Sequence, residues 1–174
     1  MAIVLPDFNF EEGTINMGGT AGKVYAIPAS DVETIPAPGA NSLTVATAIV
    51  CKSGQKFAEI YMTSETGEVK DTEVGERDGG SFETGLEWWS PAISDELLTL
   101  KSKFANGGFI FLIKDSNNIM RIVGSKDHPA YREPGEITTG KAPKDRRGAS
   151  FKFKASSPTP ALIYTGPVPL TAAI

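Results

Sequence analysis

Apolar and polar side chains alternate without a break from Ser81 to Trp89. Phe82, Thr84, Leu86 and Trp88 fall to one side, and Glu83, Gly85, Glu87 and Trp89 to the other. This period of two marks a strand with one buried face. Upstream, Leu43–Cys51 and Phe57–Thr63 are rich in β-branched and small residues, and the polar link Lys52–Gln55 between them predicts a hairpin. Glu68–Val74 alternates more weakly, as a strand projecting past a core would, and Asp78-Gly79-Gly80 supplies a turn tolerant of positive φ. Together these segments predict a long hairpin over 61–88, acidic at its outer end.

One stretch has helical rather than strand spacing. Ser94 is a suitable N-cap, Asp95 and Glu96 suit the positive end of the helix dipole, and Leu97, Leu100 and Phe104 share a face before Asn106-Gly107-Gly108 stops the run. A helix is expected over 94–105. Phe109–Lys114 is continuously apolar up to its last residue, the pattern of a central strand buried on both faces, and Ile119–Val123 follows a polar turn. A long polar loop, 124–148, leads to Phe151 and Phe153 alternating with Lys152 and Lys154. Ser156–Pro160 makes a corner, and Ala161–Tyr164 reads as a last strand.

The first forty residues are irregular. Val24–Ile27 has the character of a short strand, but the prolines of Ile35-Pro36-Ala37-Pro38-Gly39 exclude that segment from a central sheet. The expected organisation is an extended N-terminal arm (1–40), a β domain (41–166) and a C-terminal tail (167–174). The fold class is mainly β: an antiparallel β-sandwich or rolled barrel of seven to nine strands, with one flanking α-helix and a long extended hairpin.

Composition adds three constraints. At 174 residues the chain fits one domain, and 18 Gly with 12 Pro fit short strands and many turns. Cys51 is the single cysteine, so no intramolecular disulfide is expected, and its apolar context suits a buried small hydrophobe. The longest apolar run, Phe109–Ile113, is too short to span a bilayer, and the N-terminus lacks the pattern of a secretion signal. A soluble protein made in a reducing cytoplasm, without a membrane partner, is expected.

Charge changes the picture more. Residues 65–87 carry Glu65, Glu68, Asp71, Glu73, Glu76, Asp78, Glu83 and Glu87 against Lys70 and Arg77. Residues 141–154 carry Lys141, Lys144, Arg146, Arg147, Lys152 and Lys154 against Asp145 alone. A net charge of −4 argues against a general nucleic-acid binder, whereas two opposed patches suit head-to-tail contact between copies.

Motifs for catalysis are weak by comparison. One His (His128, in a loop) and one Cys cannot make a tetrahedral metal set, and the acids lack the spacing of a calcium loop, so neither metal nor cofactor is expected. Gly18-Gly19-x-x-Gly22 lacks the Lys-Ser/Thr of a phosphate loop. Glu83 and Glu87 share a strand face, the one arrangement open to a hydrolase. Trp88 and Trp89 point to opposite faces, so one ring is expected in the core and the other free for an interface or for stacking on a sugar.

The layout resembles the tail tube proteins of long-tailed bacteriophages and related injection machines. The features that carry the resemblance are the hairpin 61–88, the helix 94–105, the apolar strand pair 109–123, and a closing pair around Gly148–Phe153 and Leu162–Gly166. It implies a virion structural protein, not an enzyme. Six copies would close into rings whose inner sheets form a continuous barrel, and the rings would stack into a tube through which DNA passes without specific binding. By position, the hairpin tip (65–80) and the arm would grip the next ring, alongside other virion proteins. Two other readings stay open at this point: a head–tail connector or capsid decoration protein, and a carbohydrate-binding β-sandwich.

Overall fold

The computed structural model describes residues 5–8 and 10–172. The ends of the expected arm and tail, and Asn9, lie outside the described residues. The strands are β1 (Thr20–Pro28), β2 (Val32–Thr34), β3 (Thr44–Val45), β4 (Val50–Cys51), β5 (Ala58–Tyr61), β6 (Glu68–Val74) and β7 (Ser81–Pro91). After the helix α1 (Asp95–Lys103) come β8 (Phe109–Asp115), β9 (Met120–Val123), β10 (Tyr131–Arg132), β11 (Ile137–Thr138), β12 (Gly148–Ser157) and β13 (Leu162–Tyr164).

Two sheets dominate. The first runs in the order β3-β13-β9-β8-β1-β5, the second β10-β12-β7-β6 with β11 also on β12, and β2 pairs with β4 in a small ribbon. All these pairings are antiparallel except β13 with β3. The protein is mainly β with one short α-helix, and its sheets do not close into a barrel.

The continuous apolar run of β8 has a direct cause. Phe109, Phe111 and Ile113 point between the two sheets, where they meet Leu86, Trp88, Phe151, Phe153 and the helix residues Leu97 and Phe104. Ile110 and Leu112 point to the opposite side, into a second core with Ile27, Val32, Ile49, Phe57 and Tyr164. The first sheet is therefore the middle layer of three. The outer layer on its far side is built from the β2–β4 ribbon, adjoining loops and the chain's own tail: Val168 packs on that core, and Phe57 N–H donates to the Pro169 carbonyl at 3.0 Å.

Helix α1 starts where its cap predicts, with Ser94 Oγ accepting from Leu97 N–H, and a 3-10 turn at Phe104–Asn106 extends it. Leu97 and Phe104 close one end of the inter-sheet core.

Three expectations are corrected. The arm is shorter than 1–40, because β1 lies inside the first sheet between β8 and β5, and Val32 is fully buried. Segments 43–51 and 57–63 do not pair with each other: β3 joins β13, β4 joins β2 and β5 joins β1. The closing pair splits likewise, β12 pairing with β7 and β13 with β9, so the corner at 157–161 carries the chain from one sheet to the other. Short strands of similar composition leave their partners to non-local packing, which alternation cannot encode.

Candidate assembly surface

The hairpin built from β6 and β7 pairs Glu68 with Glu87 through Val74 with Ser81. Its turn holds Gly75 and Asp78 at positive φ (104° and 66°). Below the ladder, Thr63 N–H donates to the Trp89 carbonyl at 2.9 Å, so residues 61–67 flank the hairpin base without forming a strand of it. β6 is the outermost strand, and its far edge carries no partner among the described residues.

On the outer face of the second sheet, charges interlock within the chain. Lys152 lies opposite Glu87 with its Nζ 3.5 Å from the carboxylate, and Lys154 reaches Glu83 at 2.9 Å. The Glu83 contact raises the Lys154 ammonium above its ordinary pKa. These half-exposed pairs are screened by solvent, so they order the face more than they stabilise the fold. Both carboxylates proposed for a hydrolase are thus engaged by lysines.

Asp71 is also engaged. Its side chain faces the first sheet, where Oδ2 accepts from Arg121 at 2.6 Å and Oδ1 from Thr84 Oγ1 at 2.5 Å and Ala161 N–H at 3.2 Å. Arg121 further donates through Nε to the Ala161 carbonyl at 3.0 Å. This corrects the placement of Asp71 on a contact surface: it ties the hairpin to β9 and to the corner before β13. Sequence reading missed Arg121, whose only signal is a cation interrupting the apolar β9.

Neither tryptophan is free. Trp88 is 2% exposed, stacked 4.8 Å from Phe151 and 5.7 Å from Phe153, with Nε1–H donating to Ser90 Oγ at 3.1 Å. Trp89 was expected on the open face, yet it is 4% exposed because the Arg146 guanidinium covers its ring at 3.9 Å. Gly148 lets β12 pass close to that ring, since a Cβ there would collide with the Ser90 carbonyl and crowd the indole nitrogen. No ring of this pair is left to stack on a sugar. Along the edges of both rings runs a groove of about 540 Å³, polar and apolar in near-equal measure, lined by Glu65, Trp88, Trp89, Glu136, Arg146 and Lys152.

The basic loop has its own internal order. Asp145 accepts from Lys141 N–H at 2.9 Å and Ala142 N–H at 2.8 Å, bonds that hold its carboxyl below the usual range. Arg147 donates to the Ile93 carbonyl at 3.3 Å. Lys101 points to the Ser150 carbonyl with its ammonium 4.4 Å from the Phe151 ring centre, and burial, reinforced by Arg132, pushes its pKa down. Burial likewise pushes the Cys51 thiol up.

What remains after these pairings is segregated. Glu65, Glu68, Glu73, Glu76 and Asp78 make no ion pair among the described residues and lie along β6, its turn and the hairpin base, near Lys70 and Arg77. Lys141 and Lys144 are exposed, make no ion pair among the described residues, and lie in the loop between β11 and β12, at the opposite edge of the same sheet. Among the described residues no helix is long and apolar enough to cross a membrane, and no three His, Cys, Asp or Glu side chains gather as a metal site. Compared with known families, curated proteins and solved structures, the chain matches none.

Proposed function

We propose that this chain is a non-enzymatic virion structural protein, a tail tube subunit whose copies join head to tail into rings, six to a ring, that stack around a channel for DNA. The supporting observation is the placement of the unpaired charge. Acids line the β6 edge of the second sheet and lysines lie in the loop beyond its β11 edge, about 14 Å across the sheet at the usual strand spacing. The two are offset along the strands, since β6 pairs with 81–87 of β7 whereas β11 pairs with 148–149 of β12. A sheet with unlike edges is self-complementary by rotation, and a heterologous contact of that kind closes into a ring when the rotation suits. The open backbone groups of β6 favour continuation of the sheet into a neighbour. Acids left facing the channel repel phosphate and keep DNA from adhering as it passes.

Charge reversal tests the reading at two lysines, Lys141 and Lys144, whose ammonium groups make no ion pair among the described residues. Lys141→Glu with Lys144→Glu is expected to weaken self-association about tenfold at low ionic strength, as two exposed pairs are lost. Glu73→Lys with Glu76→Lys, mixed with that variant, is expected to recover part of the loss. Sedimentation velocity over a concentration series reads both results. Undiminished association of the lysine variant would refute the pairing of edges.

A further inference from the structure

The loop 139–147 joins β11 to β12 and carries Lys141 and Lys144, the exposed lysines of the basic edge. A loop of this length without strand or helix would ordinarily sample many conformations, yet this one is tied at its crown and at its end. The crown is a compact turn: Asp145 N–H donates to the Ala142 carbonyl at 2.9 Å, and the Asp145 carboxylate accepts from Lys141 N–H and Ala142 N–H. Gly140, at φ 75°, permits that closure, because a Cβ there would stand 2.8 Å from the Asp145 Cβ. The end is stitched to the chain after β7, where Ala92 N–H donates to the Arg147 carbonyl at 3.0 Å and the Arg147 side chain to the Ile93 carbonyl.

Arg146 connects the crown to the face of the sheet. Its guanidinium lies 3.9 Å from the centre of the Trp89 ring and makes no ion pair among the described residues, although Glu65, Glu87 and Glu136 line the same groove. The aromatic face, not a carboxylate, therefore holds it. The backbone that bears the ring is itself fixed. Trp89 N–H donates to Thr66 Oγ1 at 3.2 Å, the Trp89 carbonyl accepts from Thr63 N–H at 2.9 Å, and Thr66 Oγ1 donates to the Thr63 carbonyl at 2.6 Å. A well-held ring thus carries an arginine that directly follows the turn presenting the lysines.

We propose that Trp89 is the seat of the basic loop, and that by fixing the loop this uncharged ring sets the strength of contact between copies. The inference rests on the self-association proposed above and concerns how its basic edge is presented. Two lysines on a mobile loop would lose their freedom at every contact, a cost that a loop already in place does not meet. The same seat takes Arg146 out of the contact surface, since its guanidinium is engaged within the chain.

The test compares the full-length parent with Trp89→Leu, which removes the aromatic face and changes no charge. Trypsin cleavage after Lys141, read on dilute unassembled chains, is expected to rise about fivefold as the loop is released, and association in sedimentation velocity to weaken by about the same factor. Arg146→Met removes the other half of the contact, and the double variant is expected to be no worse than either single one. Should urea titration show Trp89→Leu unfolded, Arg146→Met and Arg146→Lys carry the same test: lysine restores a charge in full but a planar stack only in part, so full recovery overturns the seat. Unchanged cleavage in the folded variants shows that the ring does not hold the loop and overturns the proposal. Faster cleavage with undiminished association overturns it as well, while leaving self-association intact. A parent chain that stays single at every concentration sinks the tube reading and the role of the seat in it together.

Discussion

Asp71 carries three hydrogen bonds on one carboxylate, from Arg121, Thr84 and the Ala161 amide, at a position where only about a fifth of its side chain meets solvent. Charged bonds in such a setting are worth more than surface pairs, and removing one partner leaves the other uncompensated. Asp71→Ala is expected to cost about 2–3 kcal/mol in urea unfolding, and Asp71→Ala with Arg121→Met less than the sum of the two single changes. Strict additivity would show that the two residues do not act as a pair. Asp71 also shows where sequence reading stops at this scale. Its neighbours Glu68 and Glu73 have the same chemistry, and only the approach of β9 and the 157–161 corner distinguishes it. The pairing of Lys152 with Glu87 and Lys154 with Glu83 was hidden for the same reason, since two segments far apart in sequence must become adjacent strands.

At the scale of elements, local pattern was a good guide to type and a poor one to partner. The alternation of β7 and of β12, the apolar run of β8, and the cap and stop of α1 all appear as strands and helix over nearly the expected residues. Each of these elements is long enough for its own periodicity to declare it. The strands β2 to β5 hold two to four residues each, and β10 and β11 two each, so their pairing was settled by packing rather than by pattern. Trp89 is the instructive exception within a well-read strand: alternation placed it on the outer face correctly, but Arg146, more than fifty residues later, covers it. Its neighbour Trp88 is the centre of the inter-sheet core, stacked on Phe151 and edge-on to Phe111 at 5.8 Å. Trp88→Ala is therefore expected to lower the unfolding free energy by about 3–5 kcal/mol in denaturant titration. A loss below about 1 kcal/mol would mean that the two sheets do not meet at this ring.

Across the whole molecule, the opposed charge runs resolve into two populations. Some of the charge is spent within the chain, in the lysine–glutamate pairs and the Asp71–Arg121 contact, and the remainder lies on opposite edges of one sheet. The proposed function requires this protein to work as a polymer of itself, and electron microscopy of the concentrated, full-length chain at low salt addresses that without any ligand being known. Annular particles with a central channel, singly or in columns, are the predicted result. A uniform field of particles no larger than one 18.5 kDa chain, unchanged by concentration, would contradict it.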